Sequence, residues 1–372
     1  MATGTTDMRR TAVPLLAREV LDKVIQQGEE LLQGSWEIST LLQARLELDD
    51  TDLTPFGLSK TFQLPDSLTK LPPHLINTAL RVLHARPTAE EFPAGKGKVL
   101  CLDDAAGDPA SLGIACLLYG LAEREDVRAE RKLEEQVERV NGVGMLEAVE
   151  LEASFLQEDA RRAFKGLSSS NTKEQAKYLE AAYGQCKLYR QHLGRNDGLW
   201  KHIIMGPDKI DPWPWATSNG WVAAGILRVI ATMRKADEAV QRGLQSEMAD
   251  LEVWAKEIIE AASKHVDTNG MVREYIDEPD FEGESCGTAL LAYSAYRLAQ
   301  LDISQELIPF AERARQAVYN HIRPDGRLDK VCDIVDERKW RESSAEGQSF
   351  VVLLEAASRD YWRTVETRDE SL

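Results

Sequence analysis

Three groups of residues in this chain have the types and spacing that chemistry needs. The first runs from Cys101 to Gly113 and sets Asp103, Asp104 and Asp108 just ahead of an apolar run. Proline suits the first helical turn, so Pro109 marks Asp108 as an N-cap and predicts a helix after it. A carboxylate there either caps the helix from a solvated turn or lines a cavity as a proton carrier. The same spacing fits an aspartate-rich Mg²⁺ site for diphosphate substrates, but that reading calls for a second metal-binding motif and the sequence shows none. The second group is Asp197–His202 followed by Asp211–Trp221. It gathers His202, Asp211, Trp213, Trp215, Asn219 and Trp221, with Pro212 and Pro214 stiffening the loop. Indole rings stack on the apolar faces of sugars while neighbouring polar groups bond the hydroxyls. The competing reading is an aromatic core cluster beneath a long loop. The third group is Arg273-Glu274-Tyr275 with Asp280–Ser285, and a similar set, Arg338, Trp340 and Arg341, follows later. Arg273 could meet a ligand carboxylate or simply pair with Glu274 or Asp277.

The elements that must hold these groups read as helices. Apolar residues recur at helical spacing over Leu15–Leu32 and Leu71–Leu83, with a polar, Pro-containing connection over Leu46–Pro72. Strand signatures are scarce. The second half repeats: a helix ends, an Asp-Gly or Asn-Gly turn follows, then a polar loop, then a helix rich in small residues. The turns are Asp197-Gly198, Asn269-Gly270 and Asp325-Gly326. The helices after them open around Gly220, Gly287 and Gly347. Units of this kind cannot bury an apolar face alone and stack into a solenoid or a closed toroid. Small residues let the second helices approach closely, and their N-terminal N–H groups face whatever the preceding loops enclose. The run Thr367–Leu372 reads as a frayed acidic tail.

Composition narrows the classes. Among 372 residues, 43% are hydrophobic and 29% charged, which is a globular balance. The net charge of -17 argues against a nucleic-acid partner, which would need a basic face. No apolar run has the length of a membrane span or signal peptide, and five widely spaced cysteines form no CxxC pair. The expectation is a cytoplasmic protein with reduced thiols, no resident metal and a small-molecule, carbohydrate-like substrate.

At these residues the chain resembles the unsaturated glycuronyl and rhamnogalacturonyl hydrolases of glycoside hydrolase families 88 and 105. Their tryptophan motif, Trp-x-Arg-Gly-Asn-Gly-Trp, is matched by Trp215–Trp221, and their Gly-Leu-x-x-His loop by Gly198–His202. Gly107–Gly113 is similar to their first aspartate region, while Glu284–Ala289 and Ala345–Gln348 resemble later hairpins. The resemblance implies an all-α, (α/α)6 toroid of six helical hairpins, one of them incomplete near residues 141–165. It would make residues 1–366 one barrel domain, with residues 1–99 supplying the N-terminal helices. It implies a glycosidase for small unsaturated uronic-acid oligosaccharides that works by vinyl-ether hydration without metal or organic cofactor. Asp108 would be the catalytic carboxylate, and His202, Asp211, Trp213, Trp215, Asn219, Trp221 and Arg273 would bind substrate. Two features depart from the pattern. Thr217 and Ser218 replace the motif's arginine and glycine, and residues 141–165 hold no acid in the setting of the family's principal proton donor. A diverged relative that binds or transforms another small molecule, and a non-enzymatic helical scaffold, are the alternatives.

Overall fold

The structure, a computed structural model, describes residues 12–61, 67–85, 112–133, 172–205, 210–332 and 339–370. The Asp103–Asp108 cluster, the segment 141–165 and Arg338 lie outside the described residues. In chain order the helices are α1 (Arg18–Leu31), α2 (Ser35–Asp49), α3 (Pro73–Ala85), α4 (Gly113–Leu133), α5 (Thr172–Leu193), α6 (Ala216–Met233), α7 (Glu238–Gly243), α8 (Gln245–Ala262), α9 (Ser285–Gln300), α10 (Ile308–Tyr319) and α11 (Ala345–Glu370). The sheet content among the described residues is one antiparallel pair, β1 (Val331–Cys332) with β2 (Trp340–Arg341). Helix α11 continues through Glu370, past the point where the sequence suggested a frayed tail. The hydroxyl of Thr367 bonds back to the Arg363 carbonyl at 3.0 Å.

The chain falls into two compact units. One comprises Leu32–Ala182 with Thr232–Leu244, the other Met1–Leu31, Tyr183–Ala231 and Gln245–Leu372. In the first, Leu42 and Leu46 of α2, Leu75 and Ala79 of α3, and Ala115 and Leu118 of α4 form a shared apolar core. The start of α2 is closed by Glu37, whose carboxylate accepts the N–H groups of Gln33 at 2.6 Å and Gly34 at 2.8 Å. Lys235 is nearly buried and donates to the carbonyls of Gly57 and Ser59 at 2.8 and 2.6 Å, tying down the turn after α2.

The second unit carries the repeat. Helix α9 is buried on every side up to Ala299, and α11 is buried through its first half, so both are inner helices. Helix α10 buries one face, Ile308, Phe310, Ala311, Ala314, Arg315, Ala317 and Val318, as an outer helix should. The small residues explain how closely the inner helices approach. A Cβ on Gly287 would lie 2.7 Å from the backbone carbon of Ala216, where α6 begins. One on Gly220 would press against Leu290 at 3.0 Å.

Each outer helix turns into the next element through the same hairpin. Gly198, Gly270 and Gly326 have φ of +92°, +88° and +92°, which side chains with a Cβ rarely adopt. Around them Arg195 N donates to Leu199 O at 2.8 Å, Asp267 N to Met271 O at 2.7 Å, and Arg323 N to Arg327 O at 2.8 Å. Two residues after each glycine, the strand is caught by the fourth residue of the following inner helix. Asn219 Oδ1 accepts Trp200 N at 2.8 Å, Thr288 Oγ1 accepts Val272 N at 2.9 Å, and Gln348 Oε1 accepts Leu328 N at 2.7 Å. All three side chains are completely buried.

Gln348 makes the fullest clamp, adding donations to Val24 O at 3.0 Å and Gly326 O at 2.8 Å. Replacing it by leucine keeps the bulk but strands several buried backbone groups. Gln348→Leu should therefore cost about 3 kcal/mol or more in denaturant unfolding. A loss below about 1 kcal/mol, within ordinary surface-mutation scatter, would show that the clamp is not structural.

Candidate functional site

The tryptophan loop and the loop of the next repeat are stitched together by backbone. Trp215 pairs with Tyr275, Ala216 N donates to Glu274 O at 2.7 Å, and Ile276 N donates to Pro214 O at 3.0 Å. Arg195 adds a side-chain tie, bonding Asp197 at 2.7 Å and Asp277 at 2.5 Å. The tryptophan loop is itself a hairpin in which Ile203 and Asp211 exchange both backbone hydrogen bonds. That pairing brings the side chains of His202 and Asp211 together.

The result is a carboxylate with three donors. Asp211 Oδ2 receives His202 Nδ1 at 3.0 Å and the Tyr275 hydroxyl at 2.6 Å, and Oδ1 receives Trp213 N at 3.2 Å. Burial alone would raise the Asp211 carboxyl, but the bonds from Tyr275, His202 and Trp213 outweigh it and hold it below its ordinary range. An ionised carboxylate only accepts, so it fixes the proton of a neutral His202 on Nδ1 and gives Nε2 the lone pair. The imidazole also lies against Trp215, with ring centroids 4.7 Å apart. Such a pair can hold or take up a proton, and Trp213, half exposed beside it, can stack on a ligand.

The residues singled out from sequence divide accordingly. His202, Asp211, Trp213 and Trp215 come together. Arg273 is half-buried two residues before Tyr275, its backbone paired with Gly283. Trp221 makes an edge contact with Phe350 of α11, with centroids 5.2 Å apart. The expectation that Asn219 binds ligand gives way to a structural role. Its amide accepts from Trp200 N at 2.8 Å and donates to the carbonyls of Trp200 and Trp215, both at 2.9 Å, and it has no exposed surface. Tyr275 was not among the side chains that the sequence reading placed with this group, yet its hydroxyl bonds Asp211. Its signal was its place in the repeat, directly after Arg273 and Glu274. Asp108 lies outside the described residues.

Beneath the loops Glu284 caps α9. It is fully buried and accepts the N–H groups of Cys286 and Gly287 and, at 3.3 Å, the hydroxyl of Thr217. Burial pushes its carboxyl up to about 7 despite those bonds. Cys286 and Cys332 are buried free thiols whose titration burial likewise pushes upward. Among the described residues, no three metal-ligating side chains cluster, and no helix is long and apolar enough to cross a membrane.

Comparison with known proteins places this geometry. The chain has the all-helical six-hairpin fold of the GH88 and GH105 glycosidases. It is similar over 92% of its length to 98% of a glycosyl hydrolase family 88 protein from Bacteroides vulgatus, at 12% identity and a TM-score of 0.58. It is also similar to a possible GH105 family member from Klebsiella pneumoniae, covering 95% of both chains at 17% identity with a TM-score of 0.54. A possible GH105 member from Salmonella enterica is 18% identical over 93% of this chain and 95% of its own, with a TM-score of 0.50. The sequence model described as Glycosyl Hydrolase Family 88 matches residues 163–340, a little under half of the chain. That span contains the tryptophan loop, the Tyr275 loop and Glu284. No curated protein matches the chain.

The two buried carboxylates should leave opposite marks on stability. The Glu284 carboxyl titrates higher folded than its ordinary value of 4.5, so the folded state holds the proton longer and stability falls as pH rises from about 4.5 to about 7. Asp211 titrates lower when folded, so its contribution is present at neutral pH and is lost in acid. Thermal or denaturant unfolding across pH should show a smaller decline toward neutrality in Glu284→Gln and a smaller loss in acid in Asp211→Asn. Unchanged profiles would mean that neither group carries the linkage.

Proposed function

We propose that this protein is a glycosidase-like enzyme for small uronic-acid oligosaccharides, with its substrate seated on the loops that carry His202, Asp211 and Trp213. The observation that carries the reading is the Asp211-anchored His202 flanked by one buried and one half-exposed indole. A sugar ring stacks on Trp213, and His202 meets a hydroxyl or a proton in transit. Trp215 backs the imidazole and Trp221 supports the wall behind it. Arg273 is the cation for a substrate carboxylate.

The reaction that fits this reading is hydration of a C4–C5 double bond in a terminal unsaturated uronide. A carboxylic acid delivers a proton to C4, and water adds to C5 and loses its own proton. The hemiketal so formed opens, and the group at C1 leaves as an alcohol. One water is consumed and no electrons are transferred. Asp108 is the carboxyl we assign to the proton transfer. Asp211 is held as an anion, which suits it to orienting His202 rather than to donating a proton.

A second reading has one specific observation in its favour. Thr217 stands where the resembled motif has arginine, and here it is buried and turned toward Glu284 rather than toward a ligand. A protein altered in this way could keep the pocket and take a different small molecule. Loss of the ultraviolet absorbance of an unsaturated uronide separates the two. Purified protein should bleach the chromophore. Asp108→Asn should slow the reaction by about two orders of magnitude or more, the usual scale for losing a proton-transfer group. No bleaching of any unsaturated disaccharide overturns the reading, and full activity in Asp108→Asn overturns the assignment.

A further inference from the structure

Two histidines of the second unit each bond an aspartate through Nδ1, and the two pairs differ in one respect. His321 Nδ1 lies 2.6 Å from Asp329 Oδ1, while Arg323 Nε takes the other oxygen, Oδ2, at 3.2 Å. His202 Nδ1 lies 3.0 Å from Asp211 Oδ2, and that same oxygen accepts the Tyr275 hydroxyl at 2.6 Å. A phenol bonded to a carboxylate at this distance is in the short, charge-assisted range, whereas 3.0 Å is the length of an ordinary N–H···O bond. Where a hydroxyl shares the oxygen, the imidazole stands farther off.

The hydroxyl is delivered to that oxygen independently of His202. Tyr275 is nearly buried, and its ring meets Phe281 edge-on with centroids 4.9 Å apart. Its backbone pairs with Trp215, and the next residue, Ile276, donates its N–H to Pro214 O at 3.0 Å. Among the described groups, those that act on the Asp211 carboxyl are Tyr275, His202 and the Trp213 N–H. The charged side chains of the two loops, Lys201, Arg195, Arg273, Glu274 and Asp277, are not among them, and Arg195 is held by Asp197 and Asp277. A carboxylate has one negative charge to share. What is drawn to the phenol is withdrawn from the imidazole, so the ring is oriented without being made to hold a second proton.

We propose that Tyr275 is a positioning residue that competes with His202 for Asp211 Oδ2, so that Asp211 orients the imidazole while leaving it able to release a proton. The proposal rests on the reading of His202 and Asp211 as the working site, and it adds the loop of the next repeat to what governs proton transfer there.

Proton NMR titration of the ring signals of the six histidines in the full chain tests it. In Tyr275→Phe, checked for an unchanged melting temperature, the His202 midpoint should rise by about one pH unit, since the anion beside it is no longer shared. In Asp211→Asn it should fall, since the anion is gone. The His321 midpoint should be unchanged in both. A His202 midpoint that stays or falls in Tyr275→Phe overturns the proposal, because a tyrosine that merely braced the loop would loosen Asp211 and move His202 as Asp211→Asn does. If Tyr275→Phe does not fold, the unaltered chain decides. Its Tyr275 Cζ signal should shift over the pH range in which His202 titrates, and a constant signal overturns the proposal. With an unsaturated uronide, the acid limb of the bleaching rate should move upward in Tyr275→Phe, and an unmoved limb overturns the positioning role. Titrations as stated without any bleaching remove the reaction and keep the competition for Asp211.

Discussion

The arrangement of the second unit depends on one kind of hydrogen bond. A polar side chain at the fourth position of an inner helix reaches out and holds the hairpin that precedes it. Asn219, Thr288 and Gln348 are different residues, yet each accepts the backbone N–H found two positions after a left-handed glycine. Burial makes these bonds consequential. A backbone N–H shut away from water costs free energy unless it finds an acceptor, and the hairpin partners Gly194, Val266 and Ile322 do not supply one here. The side chain replaces a strand, fixes where the loop leaves the hairpin, and so fixes what the loop carries.

The candidate site is a product of that fixation. Asn219 holds Trp200 and Trp215, and the loop between them folds back so that Ile203 pairs with Asp211. The loop of the next repeat then adds Tyr275. Asp211 is thereby bonded from its own hairpin and from a residue 64 positions away. Its ionised state follows from those donors and not from exposure to water, since it is nearly buried. The Glu284 carboxyl is buried more deeply and is shifted the other way. It too receives three hydrogen bonds, but its complete burial lets desolvation prevail.

Divergence from the resembled motif is also a matter of packing. Thr217 is short and its hydroxyl turns inward to Glu284 at the start of α9. A longer cationic side chain at that buried position would have to displace its neighbours or bring a charge into the interior. The tight approach of α6 and α9 at Ala216 and Gly287 leaves little room for either. On the proposed function, ligand contact falls to other parts of the loop, above all the exposed side chain of Trp213.

Much of the fold was legible in the residues. Asp-Gly and Asn-Gly pairs demand a left-handed turn, because only glycine takes that conformation without strain, and all three turns stand where the spelling put them. Apolar periodicity and small residues located the inner and outer helices, because burial and close approach depend on side-chain size in a way the sequence records directly. His202, Asp211, Trp213 and Trp215 were recognisable as a group because one short loop carries them. What the sequence left undetermined was direction. Asn219 has the chemistry of a ligand-binding residue, and only the packed chain shows its amide spent on the backbone of Trp200 and Trp215. Tyr275 looked like one aromatic among several until the pairing of two repeats brought its hydroxyl to Asp211. A side chain's type is written in the sequence, but its partner is chosen by which buried groups remain unsatisfied once distant segments have met.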